Sequence, residues 1–77
     1  MIDWQKIENY LVGTHDFGKA WIRLDREGKS TALYLQLGEL EKFPVEDGDE
    51  TKPETLKIKA ELILNQYRLA NLQKLSN

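Results

Sequence analysis

The chain contains no cysteine. Disulfide staples and thiolate metal sites are therefore excluded, and nothing in the composition calls for an oxidising compartment. There is one histidine, His15, too few for most metal sites and enough for only one conventional general base. No window approaches the roughly 18 consecutive apolar residues of a membrane span, and the opening Met-Ile-Asp-Trp-Gln-Lys is amphipathic, unlike a signal peptide. The expected location is the cytoplasm, with no membrane partner. A length of 77 residues leaves room for one core only, so residues 1–77 are expected to form a single domain near the lower size limit for unaided folding.

What is present argues for a folded protein. A hydrophobic fraction of 40% with two Trp, three Tyr and two Phe is too rich for a disordered chain. The net charge of −2 is unevenly spread. From Glu39 to Glu54, seven acids (Glu39, Glu41, Glu46, Asp47, Asp49, Glu50, Glu54) face Lys42 and Lys52, giving this stretch −5 and the remainder +3.

Asp3 suits an N-cap, Trp4, Ile7 and Leu11 recur at helical spacing, and Gly13 is a natural terminator, so residues 3–12 are expected as a short helix. A loop follows at 13–18. The period then changes to two. Lys19 to Asp25 and Ser30 to Leu37 alternate about a turn at Asp25-Arg-Glu-Gly28, which describes a β-hairpin. Two registers compete. Pairing Ile22 with Leu33 gathers Ile22, Leu24, Leu33, Leu35 and Leu37 on one face, whereas Gly28 suits a three-residue turn with a bulge that pairs Asp25 with Lys29. Residues 39–53 read as a flexible acidic loop, whose start could hold a short third strand at 42–45, confined to an edge by Pro44.

Thr51-Lys-Pro-Glu54 fits a capping box, and a long C-terminal helix should follow. Residues 55–62 also alternate as a strand would; the cap and the absence of a turn signal favour helix. The expected fold class is α+β in the order α-β-β-(β)-α: a short N-terminal helix, a hairpin with an optional third edge strand, and a long helix packed on the sheet. Several unrelated small folds share that order, double-stranded RNA-binding domains among them. The resemblance is one of topology alone, because Thr51-Lys52-Pro53-Glu54 stands where such domains carry a basic cluster.

No catalytic set emerges. Gly13-Thr-His-Asp-Phe-Gly-Lys-Ala20 lies one position short of a phosphate-binding loop, but it lacks the leading strand, the following helix and the Mg²⁺-binding hydroxyl. His15 reads as a solvated loop residue, and the acids of 46–50 lack the ligand spacing of a calcium loop. Neither a metal nor a cofactor is expected, and the chain reads as a non-enzyme.

Three surfaces are candidates for partners. In the first register Lys19, Trp21, Arg23 and Tyr34 share the hairpin face opposite the aliphatic one, a platform for a partner's side chains or for bases. Glu46, Asp47, Asp49 and Glu50 form an acidic surface able to imitate phosphate charge. On the C-terminal helix, Leu56, Ala60, Ile63, Tyr67 and Ala70 make one apolar stripe, while Ile58, Leu62 and Leu69 make a second on the far side, to be covered by the N-terminal helix, a partner or a second copy. The expected function is a non-catalytic protein-interaction or regulatory module, an inhibitor or adaptor acting on another protein, with homodimerisation as one form of association. Nucleic-acid mimicry by the acidic segment and nucleic-acid binding by the strand face are the alternatives. The overall acidity disfavours the latter.

Overall fold

Five strands run up and down in sequence before the chain turns into a helix. In the computed structural model, which describes the backbone of residues 2–75 and the side chains of 2–45 and 52–70, they are β1 (Asp3–Ile7), β2 (Tyr10–His15), β3 (Gly18–Leu24), β4 (Ser30–Leu37) and β5 (Phe43–Thr51), followed by α1 (Pro53–Leu75). Every neighbour is antiparallel and the sheet order is β1-β2-β3-β4-β5.

The N-terminal helix expected over 3–12 is replaced by the β1–β2 hairpin, so the order α-β-β-(β)-α does not occur. The helical spacing of Trp4, Ile7 and Leu11 came from two short strands read as one. Between them Glu8 and Asn9 make a tight turn with Ile7 opposite Tyr10, and Glu8 takes the left-handed conformation at φ 56°. Glycine or asparagine usually marks such a position. Gly13 does not end a helix. It pairs with Trp4 across the hairpin, and a Cβ there would lie 2.8 Å from Trp4 Cε3 and 2.6 Å from Ile2 Cγ2. The missing side chain is what lets the indole lie over the strand.

Both cues read from the central hairpin operate, at opposite ends. At the turn Asp25 N–H donates to the Lys29 carbonyl (2.8 Å) and Gly28 sits at φ 82°, as a three-residue loop with a left-handed glycine requires. Leu24 therefore pairs with Ser30, but Arg23 already pairs with Ala32, Ile22 with Leu33 and Trp21 with Tyr34. The additional residue is Thr31. Its Oγ1 accepts from Arg23 Nε at 3.0 Å and lies 3.3 Å from the Arg23 carbonyl, to which its hydroxyl donates.

The edge strand allowed at 42–45 exists and runs further: β5 takes in Phe43–Thr51, most of the segment otherwise expected as a flexible acidic loop. Acidic residues, a glycine and a proline are poor strand formers. They are accommodated because β5 is an edge strand, paired among the described residues with β4 alone, in a backbone register that sets Ala32 opposite Asp47 and Tyr34 opposite Pro44.

The helix starts one residue later than the capping box implied. The Lys52 carbonyl accepts from Thr55 (3.0 Å) and Leu56 (3.4 Å), placing Lys52 at the cap and Pro53 at the first helical position, where its missing N–H costs nothing. Residues 55–62 are helix, not strand. Leu56, Ala60 and Leu64, each 1% exposed or less, fall at i, i+4 and i+8 and cover Ala20, Ile22, Leu33 and Leu35. The inward stripe thus includes Leu64, with Ile63 at its margin and Ala70 exposed.

A polar link joins sheet and helix. His15 continues the inward row of Leu11 and Gly13 and is only 8% exposed, in contrast to the solvated loop residue expected. Its Nδ1 accepts from the Phe17 backbone N–H (3.1 Å), so its hydrogen belongs on Nε2, which donates to Asn65 Oδ1 (3.0 Å). An Asn65→Ala chain should lose about 1–3 kcal/mol, because the buried Nε2–H is left without an acceptor. Urea denaturation followed by circular dichroism measures it, and an unchanged midpoint would contradict the assignment.

Candidate functional site

Alternation puts one set of residues under the helix and the other on the opposite face, which no described element packs against. Across that open face a continuous row runs Gln5, Val12, Trp21, Tyr34 and Pro44, and the next runs Ile7, Tyr10, Arg23 and Ala32. Trp21 lies directly opposite Tyr34, as the first register required, and Tyr10 is their diagonal neighbour. All three rings are partly buried.

Lys42, in the connection between β4 and β5, folds back over this surface. Its Nζ is 4.6 Å from the Trp21 ring centroid, 5.1 Å from that of Tyr34 and 5.9 Å from that of Tyr10. Each distance lies within the range in which a ring's negative face attracts a cation. Beside the ammonium a groove of about 380 Å³ is lined by Ile7, Glu8, Tyr10, Val12, Trp21 and Lys42. Its volume falls at the lower end of small-ligand sites. Its walls are aromatic and aliphatic, with one carboxylate and one ammonium.

Of the residues assigned to the hairpin face, Trp21 and Tyr34 meet directly. Lys19 and Arg23 share their face one row to either side. Lys19 is exposed, while the Arg23 guanidinium is engaged with Thr31 Oγ1. Tyr10, Val12 and Lys42 were not foreseen. A strand reading of Tyr10-Leu-Val-Gly-Thr-His would have put Tyr10 and Val12 on this face by period alone; no local signal marks Lys42.

The other two surfaces have different outcomes. Ile58, Leu62 and Leu69 are 62%, 57% and 59% exposed, and the N-terminal helix, one of the three covers considered for them, is replaced by the β1–β2 hairpin. The acidic set maps to β5 by its backbone, but the side chains of Glu46, Asp47, Asp49 and Glu50 lie outside the described residues. Gly13 and Gly18, which framed the resemblance to a phosphate loop, both lie within strands. Among the described residues no group of three or more His, Asp or Glu is placed to hold a metal ion, and no helix is long and apolar enough to cross a membrane.

Fold and face together define a class by architecture: an antiparallel five-stranded meander with a helix closing one side and an aromatic groove on the other. Comparison with family models, curated proteins and solved structures found no match.

Proposed function

We propose that the chain is a non-catalytic protein-interaction module that docks its partner on the open face of the sheet. The observation that carries the reading is the convergence of Tyr10, Trp21 and Tyr34 on a face that no element packs against among the described residues, with a cation lying over all three rings. Interface hot spots favour Trp and Tyr, whose large rigid area is costly to leave wet and loses little conformational freedom on docking. A nucleic-acid reading is less well supported. Stacking rings are present, but Lys19, Arg23 and Lys42 are few cations for a chain of net −2, Arg23 is already engaged, and Lys42 lies over the rings themselves.

Immobilised chain tests the proposal against two surface variants, Trp21→Ala/Tyr34→Ala and Ile58→Ser/Leu62→Ser, after circular dichroism shows each is folded. A partner identified by mass spectrometry should be retained by wild type and by the helix variant and lost from the face variant. Equal retention by the face variant, or loss from the helix variant alone, would move the interface elsewhere.

A further inference from the structure

Resting on that protein-binding reading, we infer that Tyr10, Trp21 and Tyr34 form a cation-accepting cage whose resident in the free chain is its own Lys42, and that the ligand displacing it is the N-trimethylated lysine side chain of a partner polypeptide.

The first step concerns the site's affinity. Three ring faces within 6 Å of one ammonium sum their quadrupoles at a single point, and recognition of quaternary ammonium ligands by aromatic cages uses the same arrangement. Lys42 is thus a tethered occupant, and its position marks where a cation sits.

The second step concerns the competitor. A primary ammonium keeps three N–H donors that water holds strongly, so an incoming unmodified lysine would gain no more from the rings than Lys42 does, and Lys42 is tethered. Trimethylation removes those donors, lowers the cost of leaving water and supplies methyl groups that match the aliphatic walls of Ile7 and Val12. Glu8, in the same lining, is the carboxylate available as countercharge.

The third step concerns the partner's backbone. The groove opens beside Ile7 and Glu8 at the end of β1, and among the described residues no strand pairs with the outer edge of β1. An extended polypeptide therefore has free backbone hydrogen-bonding groups next to the cage, as strand addition requires. A free small amine would make no use of them.

The full 77-residue chain, isotopically labelled, would be titrated by NMR with a short Gly/Ser-rich peptide carrying one trimethyllysine. Parallel titrations would use the same peptide with unmodified lysine, the same peptide with an uncharged tert-butyl isostere, and tetramethylammonium alone. With the trimethyllysine peptide, the ligand methyl protons should move upfield, the Trp21 indole resonance should shift, and the Lys42 methylenes should move to solvent-like positions. Removing the tethered competitor by Lys42→Ala should tighten binding roughly three- to sixfold, the factor by which a resident worth about 0.5–1 kcal/mol reduces the available site. Trp21→Phe should weaken it without unfolding the chain.

Equal shifts with the isostere would make the groove apolar rather than cation-selective. An unchanged affinity in Lys42→Ala would remove the competitor, and tighter binding of tetramethylammonium than of the peptide would make this a small-amine site; each result overturns the inference. If any of these occurs while partner retention still depends on Trp21 and Tyr34, the protein-binding reading stands and only its ligand was wrong. If the face variant retains the same partners, that reading falls whatever the cage binds.

Discussion

A Gly18→Ala chain is expected to lose about 3 kcal/mol or more, the upper end of what overpacking costs. Gly18 opens β3 opposite Leu37, where β3 and β4 approach so closely that an added Cβ would clash with the backbone carbonyl oxygen of Gln36 and meet Leu64 Cδ2 at 2.9 Å. A flexible side chain could rotate away; a carbonyl in the neighbouring strand cannot. The β2–β3 turn would have to open, and with it the Phe17 N–H contact to His15 and the Gly38 N–H bond to the Phe17 carbonyl (2.7 Å). A chain of this length has a total stability of about 4–12 kcal/mol, so the loss removes a large share of it. Gly28→Ala separates sterics from backbone conformation. A Cβ at Gly28 meets nothing within 4 Å, but φ is 82°, so its cost should be nearer 1 kcal/mol. Urea midpoints decide it: if Gly18→Ala unfolds no earlier than Gly28→Ala, the close approach of the strands is wrong.

The same two glycines show how far the sequence could be read. Gly28 was legible because its role is local: a left-handed residue closing a three-residue turn leaves a mark within four positions of sequence. Gly18 carries no such mark, since what it meets is Gln36, supplied by another strand. The hairpin between them was legible for the same local reason. Alternation fixed its face, the turn fixed its end, and the two apparently competing registers proved to be joined by the bulge at Thr31. The first hairpin was illegible because its turn uses Glu8-Asn9 in place of a glycine pair and because Gly13 and Lys6 interrupt its inward row. The candidate site divides in the same way. Trp21 and Tyr34 follow from one hairpin's period, Tyr10 and Val12 would have followed from the other's, and Lys42 is brought over the rings by a connection whose path no periodicity encodes.

Leu64→Ala is expected to cost about 2–5 kcal/mol, and Leu62→Ala, the same change two residues earlier, less than about 0.5 kcal/mol. Leu64 is fully buried in the core cluster that includes Ala20 and Leu35, with its Cδ2 beside Gly18, whereas Leu62 is 57% exposed on the same helix. The propensity difference between leucine and alanine slightly favours the variant, so burial alone separates the pair. The comparison also tests the second apolar stripe. Both stripes are legible in sequence, and periodicity cannot say which one faces the sheet, because the inward row of Leu56, Ala60 and Leu64 contains an alanine and the outward row of Ile58, Leu62 and Leu69 does not. Measured by thermal unfolding at several protein concentrations, a small Leu62→Ala effect that is independent of concentration means the outward row meets water. A loss comparable to that of Leu64→Ala, growing with concentration, would mean that a second copy covers it.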